Sequence, residues 1–221
     1  MTPATFIKSA ASPANFPGDT GREVAFVGRS NSGKSTAVNL LAGVRKLARV
    51  SKTPGRTQLI NFFACGDDRR LVDLPGYGFA RVAPVVQARW RRLLEAYLGE
   101  RESLVGLVLT VDIRRGLTPL DEALLQWIEP RQLAVMILLT KADKLSRGAG
   151  LARQHQVADA VAPGVLLTRF SAMSRDGVED ARAWLESWLV GMDLKTPRVR
   201  DSGDAPGAPN PGGVARVLDP A

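Results

Sequence analysis

Four short runs contain residue types whose order suits the handling of a phosphorylated base. The first, GRSNSGKS at residues 28–35, fits G-x-x-x-x-G-K-[ST]. Gly28 and Gly33 allow a sharp turn that aims backbone N–H groups at phosphate oxygens, with Arg29, Ser30, Asn31 and Ser32 between them. Lys34 sets a point charge between the β- and γ-phosphates, and Ser35 offers a hydroxyl to an octahedral magnesium ion. A helix starting here turns its positive end toward the same anion. The second run is DLPG, residues 73–76. Asp73 at a strand end suits a carboxylate that holds magnesium through water. Leu74 and Pro75 lead to Gly76, whose N–H can sense a γ-phosphate and move when it leaves.

The third run, TKAD at residues 140–143, bears on the base. Asp143 can accept from the ring N–H and the exocyclic amine of guanine. Adenine offers neither donor and would leave a buried carboxylate unpaired. Lys141 can lay its aliphatic stem along the base plane, with Thr140 and Ala142 beside it. Alone, KAD is an ordinary solvated turn; its place after the other two runs gives it weight. The fourth run, Phe170, Ser171 and Ala172, ends the last apolar stretch, where the Ser171 and Ala172 N–H groups can meet a guanine carbonyl.

The elements that must position these runs alternate between apolar stretches and helical patterns, as in βαβ units around a mainly parallel sheet. Strands are expected at 23–28, 59–65, 69–74, 104–111, 133–139 and 165–170. Helices are expected from Lys34, over 84–98, from the cap at Thr118 to Glu129, and over 147–161 and 176–190. Residues 59–65 and 69–74 flank the turn Gly66–Asp67–Asp68, so they form a hairpin that adds an antiparallel edge strand. Thr118, Pro119 and Asp121 read as an N-cap, a first-position proline and an acidic first turn. Residues 1 to about 20 read as an extended arm, and the Pro- and Gly-rich stretch after about Thr196 as disordered.

The chain has 221 residues with 45% apolar content, enough for one α/β domain with tails. No run approaches the roughly 20 apolar residues that cross a bilayer, and the N-terminus lacks the apolar core of a signal peptide. Cys65 is the lone cysteine, which excludes an internal disulfide and a cysteine-built zinc site. A reducing cytoplasm is the simplest home. The net charge is +8, from 23 arginines and 7 lysines against 22 acids. That balance favours a polyanion such as RNA, or reflects composition alone.

In order along the chain, GRSNSGKS, SKTPGRTQLINFF (51–63), DLPGYGFA (73–80), TKAD and FSA resemble TRAFAC-class P-loop GTPases of the translation-factor type. More closely they resemble the EngB (YihA/YsxC) family of bacterial ribosome-biogenesis GTPases. The resemblance covers about residues 20–190. It implies a P-loop GTPase fold: a six-stranded, mostly parallel sheet with one antiparallel edge strand and about five helices. It makes residues 1–20 an arm, 21–192 the GTPase domain and 193–221 a disordered tail. GTP or GDP is the implied ligand and Mg2+ the cofactor, with Thr57 joining Ser35 on the metal. Gly55, Arg56, Gln58 and Leu59 flank that threonine in the nucleotide site, and Lys34, Thr57 and Gly76 carry catalysis.

The family's implied role is slow GTP hydrolysis as a switch in assembly of the large ribosomal subunit, needed for normal cell division and septation. Its partner is that subunit or its precursor, both rRNA and ribosomal proteins, with no membrane partner. Nothing suggests a dedicated dimer interface, so a monomer is expected. The alternative is a nucleotide-dependent binding module with incidental hydrolysis; a P-loop kinase or ATPase is disfavoured by TKAD.

Three residues refine this. Tyr77 stands where many GTPases carry a glutamine that orients water, so slow intrinsic hydrolysis is expected. Related GTPases with asparagine at the position of Asn31 bind K+ near the β- and γ-phosphates. Thr140 stands where many have asparagine, losing one amide contact near the base, so modest nucleotide affinity is expected. Arg45, Lys46, Arg49, Lys52 and Arg56 form either a solvated face or an RNA contact beside the switch. His155, the sole histidine, has no expected chemistry. Trp90, Leu93, Leu94, Tyr97, Trp184 and Trp188 sit at helical spacing and read as core.

Overall fold

A computed structural model describes residues 2–48, 59–77 and 84–192, with side chains from 91 onward in the last of these. Seven strands and five α-helices follow in the order β1 (Thr5–Ala10), β2 (Arg22–Gly28), α1 (Lys34–Leu41), β3 (Ile60–Ala64), β4 (Arg69–Asp73) and α2 (Pro84–Glu100). Then come β5 (Leu104–Asp112), α3 (Pro119–Ile128), β6 (Ala134–Thr140), α4 (Arg147–Asp159), β7 (Leu166–Phe170) and α5 (Val178–Val190). They form one sheet ordered β1-β3-β4-β2-β5-β6-β7.

The central strands are apolar on both faces, as a sheet covered by helices on both sides requires. Alternate residues face opposite layers. Val24, Phe26, Val108, Met136 and Leu138 pack with Ala37, Val38 and Leu41 of α1 and Val178, Ala181, Leu185 and Leu189 of α5. Ala25, Val27, Leu107, Leu109, Ile137 and Leu139 pack with Leu93, Leu94, Tyr97 and Leu98 of α2, Ile128 of α3 and Val157 of α4. Trp184 and Trp188 are partly buried against the first layer. The Trp188 ring lies so close to β5 that a Cβ on Gly106 would meet it at 2.5 Å.

The sheet has seven strands rather than six, because Thr5–Ala10 pairs antiparallel with β3. Its residues are mostly exposed, and the pairing joins Thr5 to Ala64 across the sequence, so no local apolar run announced it. β3 and β4 form the expected hairpin, but β1 covers the outer side of β3. β3 is thus second from the edge, antiparallel to both neighbours.

The caps explain the helix limits. Asp121 Oδ2 accepts from the Thr118 N–H at 2.8 Å and the Thr118 hydroxyl at 2.6 Å, starting α3 where proline and acid predict. α5 starts at Val178 rather than 176. Gly177 turns left-handed (φ 67) before it, and a Cβ there would lie 1.9 Å from the Arg169 carbonyl oxygen. His155 is exposed on α4. The side chain of Trp90, residues 49–58 and residues 193–221 lie outside the described parts of the chain.

Candidate functional site

β2, β4, β5, β6 and β7 run parallel, so their carboxyl ends share one edge of the sheet. β2 is the strand at which the chain's path divides, with β4 on one side and β5 on the other. Open α/β sheets bind ligands in the crevice at such a point. Residues 28–35 leave β2 here, 73–76 leave β4, 140–143 leave β6 and 170–172 leave β7. All four runs are thereby brought together.

The first loop is shaped by contacts that admit little else. A Cβ on Gly28 would lie 2.2 Å from Thr110 Oγ1 and 2.7 Å from Ser32 Oγ. Ser32 is buried, its hydroxyl 2.7 Å from that of Thr110, which donates in turn to the Val27 carbonyl at 3.1 Å. Thr110 has one proton and gives it to Val27, so Ser32 is the donor between the two hydroxyls. Ser32 therefore braces the loop from behind. Asn31 (φ 64) and Gly33 (φ 92) are left-handed, and α1 begins at Lys34, with Ser35 partly buried in its first turn. Such a turn gathers N–H groups into an anion-binding concavity.

The second run lies against the first. The Lys34 ammonium pairs with the Asp73 carboxylate, both side chains largely buried. Leu74 N–H donates to the Phe26 carbonyl at 3.0 Å, Tyr77 N–H to Gly28 O at 3.3 Å and Ser30 N–H to Tyr77 O at 3.1 Å. Residues 74–77, with Leu74 buried and Pro75 and Gly76 following it, thus run alongside the phosphate loop. The side chain of Tyr77 points elsewhere. It is buried, and its hydroxyl donates to Asp121, the acid that also holds the start of α3. Burial, then the neighbouring Asp121 carboxylate, push the phenol far above its ordinary pKa. Tyr77 is a neutral donor committed to structure.

On the base side, Thr140 Oγ1 lies within hydrogen-bonding reach of the Ser32 and Val111 carbonyls, tying β6 to the phosphate loop and to β5. Lys141, left-handed at φ 59, donates from Nζ to Asn31 O at 2.7 Å and to Asp112 Oδ2 at 2.9 Å. Asp112, opposite Thr140 in the β5–β6 register, had no place in the sequence reading. Its only signal is an aspartate ending an apolar strand. The Arg114 guanidinium holds its carboxyl well below the usual range, with help from Lys141 and the Arg114 N–H and against the effect of burial.

Asp143 is exposed beside Ala142, and its Oδ1 accepts from the Ser171 hydroxyl at 2.7 Å. Ser171 is wholly buried, and its oxygen accepts in turn from the N–H groups of Met173 (3.2 Å) and Ser174 (3.1 Å). That bond, then Lys144, lowers the Asp143 pKa, keeping it an acceptor. The sequence reading gave Ser171 only a backbone role. Its N–H instead donates to the Asp176 carbonyl at 3.0 Å, while Ala172 is exposed beyond buried Phe170. Gly55, Arg56, Thr57 and Gln58 lie outside the described residues; Leu59 immediately precedes β3 and is partly exposed.

The fold and this edge define a P-loop nucleotide-binding domain of the GTPase kind. Residues 23–141 match the family of 50S ribosome-binding GTPases. The chain is 48% identical over 190 residues to the probable GTP-binding protein EngB of Escherichia coli strain K12, covering 85% of this chain and 90% of that one. It is similar to the same extent to the EngB protein of Shigella boydii serotype 18. Among solved structures, a probable GTP-binding protein EngB has a TM-score of 0.57 at 22% identity, covering 76% of this chain and 99% of that one. Era in complex with MgGDPNP and nucleotides 1506–1542 of 16S ribosomal RNA has a TM-score of 0.60 at 21% identity, covering 82% and 60%. These structural likenesses concern the fold. The chain belongs to the EngB family of GTP-binding proteins, which are GTPases. Among the described residues, no helix is long and apolar enough to cross a membrane.

Proposed function

We propose that this chain binds GTP with Mg2+ and hydrolyses it slowly to GDP and phosphate, acting as a switch in assembly of the large ribosomal subunit. The observation that carries the nucleotide reading is the meeting of a phosphate loop and a braced guanine-selecting carboxylate at one sheet edge. The assembly role, with its consequence for cell division and septation, rests on the family. A cytoplasmic monomer working with the subunit or its precursor, through rRNA and ribosomal proteins, belongs to the same reading. So does a GTPase domain over residues 21–192, to whose sheet Thr5–Ala10 of the arm adds an edge strand.

The residues fit a magnesium-bound triphosphate. Gly28 keeps the backbone clear of a Cβ, and Lys34 and Asp73 bring an ammonium and a carboxylate together. Ser35 and Thr57 are the residues to hold the ion, with Asp73 acting through water; when bound, magnesium neutralises charge on the β- and γ-phosphate oxygens. Lys34 exchanges its bond to Asp73 for phosphate oxygens, and the N–H groups of residues 29–33 complete the cradle. Gly76 donates its N–H to the γ-phosphate and relaxes after cleavage, while Gly55, Arg56, Gln58, Leu59, Leu74 and Pro75 flank Thr57 and Gly76 in the nucleotide site. Asp143 selects guanine, with Lys141, Thr140, Ala142, Phe170, Ser171 and Ala172 around the base.

Slow turnover follows from Tyr77, whose hydroxyl is buried on Asp121 and cannot orient water. This also favours the second reading, a binding module in which hydrolysis is incidental. A subunit-supplied group or K+ near Asn31 completes the catalytic geometry. Nucleotide affinity is modest because Thr140 offers the base no amide.

Calorimetry with GTP, GDP and ATP in magnesium tests the base assignment, and Asp143→Asn is expected to move preference toward xanthine nucleotides. ATP preference would overturn it. Turnover with purified large subunits, in potassium and in sodium, comes next. Stimulation supports the switch, and its absence supports the binding module; equal rates in the two salts remove the potassium site. A nanomolar GDP complex that purifies with the protein would contradict modest affinity.

A further inference from the structure

Charge is concentrated beside the guanine side of the site. In residues 112–116 and 141–153, six cations (Arg114, Arg115, Lys141, Lys144, Arg147 and Arg153) face two carboxylates, Asp112 and Asp143. The surplus of +4 is half of the whole chain's +8. Both carboxylates are already engaged, Asp112 by Arg114 and Lys141, Asp143 by Ser171 and Lys144.

The two segments form one surface. Register sets Asp112 opposite Thr140, so the loops after β5 and β6 leave the sheet side by side. α4 closes the gap: an Arg153 guanidinium nitrogen lies 2.8 Å from where a Cβ on Gly116 would stand, a space that glycine leaves open. Arg114, Arg115, Lys144 and Arg147 are exposed. The side chains of Arg115 and Arg147 have no hydrogen-bond or ion-pair partner among the described residues. Exposed cations with few acids to neutralise them suit repeated phosphates, and arginine adds a fork for each.

We infer that this face, made by the β5–α3 loop, the β6–α4 loop and the first turns of α4, docks an RNA phosphate backbone. The inference rests on the ribosome-assembly reading and names a contact surface for it. The same face has a built-in link to the nucleotide. Arg114 and Lys141 share Asp112: Arg114 contacts Oδ1 at 2.9 Å and Oδ2 at 2.6 Å, and Lys141 contacts Oδ2 at 2.9 Å while also holding Asn31 O. A phosphate that draws Arg114 away leaves Asp112 to Lys141 alone.

The test uses the full chain, a fluorescein-labelled RNA hairpin and a labelled GDP, read by anisotropy. The variant Arg115→Glu/Arg147→Glu touches neither the phosphate loop nor the base-binding residues. Arg91→Glu/Arg92→Glu, on the exposed side of α2, changes net charge equally and serves as control. The expected result is RNA affinity at least about tenfold weaker for the first variant and less than about threefold for the control. The salt slope should be shallower by roughly two, near 0.9 per lost phosphate contact, with GDP affinity unchanged. Equal losses in both variants would show charge without a surface and overturn the proposal, as would a wild-type chain that does not bind the hairpin. Unchanged hairpin affinity in the first variant would also overturn it. Failure of GDP binding in the wild-type chain would strike the GTPase reading itself, a separate outcome.

Discussion

The two ends of the sheet handle buried charge in opposite ways. At the amino ends of the strands, Glu23 is fully buried, and its two oxygens meet four donors. Arg70 donates at 3.0 Å, Tyr97 at 2.8 Å, and Arg101 twice, at 2.6 and 2.7 Å. Both guanidiniums also donate to backbone carbonyls between Pro17 and Thr20, and Arg101 lies over the rings of Phe16, Phe62 and Tyr97. Asp19 accepts the N–H groups of Glu102 and Ser103. Glu23, Arg70, Arg101 and Asp19 are all paired there, in a frame of aromatic rings.

At the carboxyl ends the pairs are simpler and join different loops: Lys34 with Asp73, Lys141 with Asp112. They sit on left-handed backbone at Asn31, Gly33 and Lys141. Under the proposed function, Lys34 trades its carboxylate for phosphate oxygens. Saturated networks hold one structure, whereas pairs with one replaceable partner suit a site that must exchange ligands.

The strongest way to break this contrast is at Glu23. Glu23→Ala leaves two buried guanidiniums without their carboxylate and is expected to cost about 3–5 kcal/mol in urea unfolding. GDP affinity should stay unchanged below the melting temperature. A loss under ~1 kcal/mol would mean that the amino end is no more committed than the site. Lys34→Ala is the converse. Turnover should fall by at least about a hundredfold, as when one charge-stabilising donor is removed from a reacting phosphate. The stability loss should be smaller than that of Glu23→Ala, because one carboxylate is left unpaired rather than two guanidiniums; an equal loss would erase the distinction.

Tyr77 lies at the border between the two behaviours. Tyr77→Phe keeps the ring and removes one bond to a carboxylate, for an expected loss of about 1.5 kcal/mol. Turnover should change by less than about threefold, and a larger fall would place the hydroxyl in the reaction. The smallest expected effect is in pH. Asp112 and Asp143 titrate below their ordinary values when folded. Their contribution to stability is therefore present above the unfolded carboxylate pKa, about 3.9, and lost as pH falls through the folded values. Asp112→Asn should flatten the fall in stability below about pH 4, and urea titrations of the variant and parent at pH 7, 4 and 3 read this directly. Identical profiles would mean that Arg114 and Lys141 do not hold that carboxylate.

Much of the site was legible because its demands are local. Gly28, Gly33 and Lys34 follow from what a tight anion-binding turn needs within eight residues, and Thr118, Pro119 and Asp121 from how a helix starts. Asp143 became legible by its order after the other runs. What could not be read were partners brought together by the sheet. Nothing near Ser171 in sequence says that its hydroxyl braces Asp143, 28 residues away. Nothing near Tyr77 marks Asp121, 44 residues on, and Asp112 looked like an unremarked strand end.

The sequence by itself determined that a glycine-rich loop, an acidic strand end and the TKAD turn each follow a strand, and that strands and helices alternate to carry them. The loop depends on backbone freedom and the elements on periodicity and capping within a few residues, whereas the TKAD turn was read from its order along the chain. Tertiary structure alone decided that Thr5–Ala10 joins the sheet as a seventh strand, that Glu23 sits in a cage closed by Arg101 from 78 residues away, and that Lys141 spans Asp112 and the phosphate loop. A short exposed strand or a single buried charge has no preference of its own. The packing of distant segments supplies the partner, and no pattern of neighbouring residues encodes it.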